Sequence, residues 1–249
     1  MHSEFLKIIE YLGSRQVEVN ILSNGERFSD DRFVDEFIDR CNVLNTTVVT
    51  TIHSSIPNVH EEQNGSHGSF ARTVTGLNKI FMRGVRVVVK HCITRFNYMN
   101  TRDFIEFVDR TFHPSVSIQL WGLDYCGLSK EEAEELYVNY VEFGPYLESA
   151  LDRYIEINNR NRRELSMHNI PLCWLDPFYW PLVEVRKGRY STYMDPSTTL
   201  TDNSDDSGCF AQKCAGCNLN GICPGTYRTM FYYFGEDSVD KIEATLSRE

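Results

Sequence analysis

The chain has 249 residues, 41% hydrophobic and 24% charged, with a formal net charge of −10. That size supports a substantial core and fits one large domain or one domain with an appendage. The acidic balance excludes nucleic-acid backbone as the main partner, no apolar run reaches the length of a membrane span, and the N-terminus lacks a basic-then-apolar export signal. Eight cysteines without an export signal read as reduced thiols or metal ligands in a cytoplasmic protein.

Residues 3–13 predict a helix, with Ser3 as cap, Phe5, Ile8, Ile9 and Leu12 on one face, and Gly13 as its stop. Residues 17–22 predict a strand ending at Ser23-Asn24-Gly25, and residues 30–41 a helix with Phe33, Val34, Phe37 and Ile38 inward. The β-branched run 47–52 is a second strand, followed by a loop through His53, Ser54 and Ser55. A long helix is expected over 69–83, a strand over 85–92, a helix over 101–112 and a fourth strand over 116–121. A pair of helices then runs from Lys130 to Glu164, and Ile170 to Cys173 reads as a fifth strand.

Strands alternating with helices, most of them apolar on both faces, predict a parallel α/β sheet or barrel. Chemistry in such folds sits at the C-terminal ends of the strands. The polar residues falling there are Ser23 and Asn24, His53 to Ser55, Lys90 and His91, Gly122 to Asp124, and Cys173. A strand at 17–22 has no preceding partner, so its edge is exposed unless something covers it. After Phe178 the regular pattern fails, residues 196–208 read as a mobile acidic loop, and 239–246 as a terminal helix.

Four of the eight cysteines fall within residues 209–223, three of them as the C-x₂-C-x₅-C of Cys214, Cys217 and Cys223. Two thiols separated by two residues can converge on a metal, and Gly216, Gly221, Pro224 and Gly225 supply the turns. Thiolates suit zinc and iron–sulfur clusters alike, and spacing alone does not choose between them. Both need a fourth donor, for which Cys173 and Cys209 are the candidates. His60 and His67 flank an acidic stretch that fails the H-E-x-x-H zinc spacing, so both are expected to be structural. Cys41, Cys92 and Cys126 are isolated and expected to pack as small hydrophobes. The run Phe231 to Phe234 is expected to pack against the body of the protein.

Several of these stretches resemble the radical SAM superfamily, and its peptide-modifying maturases in particular. Val19 to Gly25 resembles the strand after the family's Gly-Gly-Glu element. Residues 59–65, 68–70 and 73–77 resemble the loop and helix after its fourth barrel strand, and 84–93 its fifth strand. Ile170 to Asp176, Trp180-Pro181 and the C-x₂-C-x₅-C resemble the radical SAM maturase of His-Xaa-Ser peptide systems. The same spacing occurs in the SPASM auxiliary-cluster motif, which continues with a cysteine where this chain has Tyr227.

The resemblance implies an incomplete (βα) barrel over residues 1–176 and a cysteine-rich region over 177–249. It implies an auxiliary [4Fe-4S] cluster on Cys173, Cys214, Cys217 and Cys223, with S-adenosyl-L-methionine contacted by Asn24, His53, Ser54, Ser55 and Lys90. The family's C-x₃-C-x₂-C loop and Gly-Gly-Glu element have no match in this sequence, and residues 1–6 resemble the helix that follows them. The chain therefore reads as lacking the first strand–helix–strand, and inactive alone. A complete enzyme of this type generates a 5′-deoxyadenosyl radical that abstracts hydrogen from a peptide or small-molecule substrate, drawing electrons from a donor such as ferredoxin or flavodoxin. A reading from another class is a non-catalytic binding scaffold with a purely structural metal site.

Overall fold

The computed structural model describes residues 2–184, 191–193, 200–202 and 208–239. The expected loop over 196–208 and the terminal helix over 239–246 lie almost wholly outside these residues. The chain forms two compact units. The first comprises Met1–Cys92, Asn100–Gln119 and Asp152–Leu165, and the second Ile93–Met99, Leu120–Leu151 and Ser166–Glu249. They interleave along the sequence.

Five strands form one sheet, β1 Val19–Leu22, β2 Thr46–Thr51, β3 Arg86–Ile93, β4 Ser117–Gly122 and β5 Leu165–His168, in the order β1-β2-β3-β4-β5. The first two pairings are parallel, with Ile21 opposite Val48 and Val48 opposite Val87. Helices α1 Phe5–Ser14, α2 Asp31–Ile38, α3 Pro57–Asn64, α4 Ser69–Met82 and α5 Thr101–Thr111 come before and between the strands. Parallel crossovers are right-handed, so a sheet built in strictly sequential order keeps its connecting helices on one face. That is the order of a barrel wall rather than of a doubly wound sheet. Burial along β3 agrees: Val87, Val89, His91 and Ile93 are buried while Val88, Lys90 and Cys92 are half-buried on the other face. β1 is an edge strand, and its Leu22 is 74% exposed.

In the first unit, Asp30 caps α2 by accepting from Arg32 N at 2.9 Å. Phe28, Phe33 and Phe37 bury their rings beneath it, each contributing about 2–3 kcal/mol by area removed from water. α4 presses onto the turn after β1, and a Cβ on Gly76 would stand 2.5 Å from the Gly25 carbonyl oxygen. Gly13 does not end α1, which runs on to Ser14; it is small because the chain at Arg40–Asn42 passes 3.2 Å from its hypothetical Cβ. Nor does Ser3 cap α1, whose N-cap is Glu4 with no side-chain bond.

α3 was not foreseen, although Pro57 opens it and Gly65, with φ +64°, closes it. The two final helices of the expected pair are unequal. α6 Lys130–Leu136 is a short helix with a Ser129/Glu132 capping box, and α7 Tyr140–Asn161 is long. The fifth strand falls earlier than expected. Leu165–His168 forms it, whereas Asn169 at φ +54° turns the chain and Cys173 lies in the single 3-10 turn Leu172–Trp174.

Within the second unit, Tyr125, Ala133 and Met230 form a small core. Phe234, at the end of α8 Arg228–Phe234, stacks on Tyr137 at 3.9 Å, so this aromatic run does pack inward. Its Tyr232 is 80% exposed.

Candidate metal centre and strand-end cleft

Cys173, Cys209, Cys214, Cys217 and Cys223 all line one cavity in the second unit. Local backbone geometry explains the gathering. Gln212–Gly216 is a 3-10 turn, closed by Cys217 N donating to Cys214 O at 3.0 Å. Cys223 N donates to Leu219 O at 2.8 Å, which folds the five-residue spacer back on itself. Cys209 joins by a two-bond bridge to Thr226, with N···O distances of 2.8 and 3.1 Å. Gly225 makes that bridge possible, because at φ +68° its hypothetical Cβ would stand 2.5 Å from the Cys209 carbonyl oxygen. The Cys173 turn is held by Trp180 Nε1 donating to Leu172 O at 3.0 Å.

Backbone N–H groups point at the sulfurs. Leu219 N lies 3.5 Å from Cys217 Sγ and Gly225 N 3.4 Å from Cys223 Sγ. The Leu172 N–H also reaches Cys223, tying the Cys173 turn to the knuckle. Burial raises the Cys223 thiol pKa, the neighbouring Cys214 and Cys217 raise it further, and the two N–H groups pull it down. Such donors stabilise thiolates and tune the potential of a cluster they hold.

Among the described residues no group of three His, Cys, Asp or Glu side chains is placed to hold a metal ion as the chain stands. By donor chemistry alone, thiols suit a structural zinc and an iron–sulfur cluster alike.

In the first unit, the C-terminal ends of β1, β2 and β3 open onto a cleft of about 310 Å³. Ser23, Asn24, Thr51, His53, Asn64 and Lys90 line it, so three of the five expected ligand-contacting residues meet there. Ser54 lies elsewhere; it is buried, and its hydroxyl accepts from Ile56 N at 3.0 Å just before α3. Ser55 is half-buried beside it.

His53 N donates to Nδ1 of the buried His60 at 3.1 Å. Burial lowers the His53 pKa to about 4, with His60 adding to the effect. At neutral pH the His53 ring is therefore uncharged, and Lys90 supplies the cleft's cation, paired in part with the Cys92 thiol. One cation among amides, hydroxyls and a neutral imidazole suits a small polar ligand bearing a carboxylate.

Sequence reasoning missed the support beneath this cleft. Glu26 accepts from Asn24 Nδ2 at 2.9 Å and from Arg72 Nε and Nη2 at 2.9 and 2.6 Å. Asn64 and Ser66 approach the same carboxylate at 3.4 and 3.5 Å. Asn24 is thus oriented by a half-buried carboxylate. The available signal was Glu26 directly after an Asn-Gly turn, with Arg72 in the first turn of α4. Of the isolated cysteines, Cys41 and Cys92 are half-buried, but Cys126 is exposed rather than packed.

No protein-family model matches the sequence, and no curated protein matches it. Among solved structures, a domain of pyruvate-formate lyase-activating enzyme from Bacteroides vulgatus ATCC 8482 is similar, at 11% identity and a TM-score of 0.44. The match covers 66% of this chain and 89% of that one. No helix among the described residues is long and apolar enough to cross a membrane.

Proposed function

We propose that the chain is a radical SAM-type protein that carries an auxiliary iron–sulfur cluster and binds S-adenosyl-L-methionine. The observation that carries this reading is the convergence of five cysteines on one cavity, with backbone N–H groups directed at two of their sulfurs. Cys214, Cys217, Cys223 and Cys173 would hold the cluster, which when bound supplies one-electron chemistry. The chain's own part is to supply thiolates, keep them in a largely apolar pocket beside Leu219 and Val239, and aim amide dipoles at them.

At the strand ends, Lys90 would take the ligand's carboxylate while Asn24, fixed by Glu26, orients its polar groups. A peptide is the proposed substrate, as in the maturases that the sequence resembles, with a ferredoxin or flavodoxin as electron donor.

Anaerobic reconstitution with iron and sulfide tests the centre. About four irons per chain and a brown absorbance near roughly 400 nm are expected. Cys217→Ser is expected to lose most of that iron. Stoichiometric zinc without iron would replace this reading with that of a structural metal site. Lys90→Ala is expected to weaken S-adenosyl-L-methionine binding by about 10-fold or more in calorimetry, the loss of one charge-assisted hydrogen bond.

A further inference from the structure

β5 carries Ser166 and His168 two residues apart, so the alternation of a strand sets both on one face. Ser166 Oγ lies 2.8 Å from His168 Nε2. Across the ring, His168 Nδ1 stands 2.9 Å from Oε2 of Glu184. Glu184 comes from a separate segment, fixed beside β5 by its N–H donating to Met167 O at 2.8 Å and by a parallel bridge between Met167 and Val183. Trp121 lies flat on the imidazole, with centroids 4.3 Å apart and planes at 8°. The His168 side chain is 2% exposed, whereas that of Glu184 is 47% exposed.

A serine hydrogen-bonded to a histidine two residues away is by itself an ordinary local contact. Here a carboxylate from another segment meets the far nitrogen, and an aromatic plate fixes the ring plane. Nucleophile, base and orienting acid within reach of one another form the signature of an activated hydroxyl. The Nδ1–carboxylate contact has the distance of an ion pair without hydrogen-bond alignment. Such contacts commonly tighten when substrate binds. None of these residues lines the cysteine cavity or the strand-end cleft.

We propose that Ser166, His168 and Glu184 form an acyl-transfer site for carboxylic esters, a function separate from the cluster. With that contact tightened by bound substrate, Glu184 keeps the imidazole proton on Nδ1, which leaves the Nε2 lone pair facing the Ser166 hydroxyl. Ser166 Oγ adds to the ester carbonyl carbon as its proton passes to Nε2, and Glu184 balances the imidazolium charge. The carbon–oxygen bond to the alcohol breaks, and the leaving oxygen takes the proton from Nε2. Water then attacks the acyl-serine with the same proton path, releasing the carboxylic acid and restoring the hydroxyl. No oxidant or reductant enters.

The 249-residue chain treated with a fluorophosphonate probe is expected to gain one adduct, located at Ser166 by mass spectrometry. Ser166→Ala is expected to abolish it. His168→Gln and Glu184→Gln are expected to slow labelling by about 100-fold or more, the lower range for general-base catalysis. Glu184→Asp is expected to recover part of the rate. No adduct at Ser166, or an undiminished rate in Glu184→Gln, overturns the proposal. Should His168→Gln fail to fold by circular dichroism, Glu184→Gln decides, because that side chain is half in solvent. Iron content measured on each variant separates failure here from failure of the cluster reading.

Discussion

Burial of histidine sets the acid limit of the first unit. His91 is buried, stacked 4.0 Å from Phe104, and its Nδ1 lies 3.0 Å from Ile52 O. Desolvation holds both His91 and His53 at a pKa of about 4, against roughly 6.5 in an unfolded chain. Depressed histidines bind fewer protons folded than unfolded. Their stability is therefore fully present above about pH 6.5 and lost as pH falls towards about 4. Urea unfolding at several pH values is expected to show that decline. His91→Phe is expected to flatten it by a contribution on the order of 3 kcal/mol. At Gly76, close approach rather than backbone freedom decides. Gly76→Ala is expected to lower stability by about 1–3 kcal/mol in the same measurement, as overpacking does, since its new methyl meets backbone rather than a yielding side chain.

Elements were legible where a single physical signal governed them. The β-branched run at 46–51 and the 3.6-residue spacing of α4 and α5 yielded strand and helices nearly to the residue. β5 was misplaced because Ile170 to Cys173 has strand composition, while the real strand ends in a histidine. The left-handed Asn169 cannot be read from a side chain that tolerates either hand. α3 was missed because its polar sequence has little apolar face, although its proline and glycine ends were visible. Cysteine convergence was legible from spacing, but the place of Cys209 in the cavity needed the bridge to Thr226, a pairing across 17 residues.

One buried side chain holds an element end that nothing in the sequence signalled. Arg163, 3% exposed, donates to the carbonyls of Val116 and Phe112 at 2.6 and 2.9 Å and so satisfies the chain after α5. Arg163→Met is expected to cost about 3 kcal/mol or more, read as a lowered thermal midpoint, because several buried carbonyls and Asp109 lose their cation together.

For the whole molecule, the sequence contains no C-x₃-C-x₂-C. The 249-residue chain, incubated with S-adenosyl-L-methionine and a reductant, is therefore expected to yield no 5′-deoxyadenosine even with its auxiliary centre loaded. Chromatography of the quenched mixture checks this, and product above the iron-free control would contradict it.

Because each unit is assembled from three separate stretches, the chain crosses between them at 92–93, 99–100, 119–120, 151–152 and 165–166. A gene cut at any single joint would leave part of at least one unit on the wrong fragment. Neither unit is therefore encoded by one continuous stretch, and neither can be excised by a single cut.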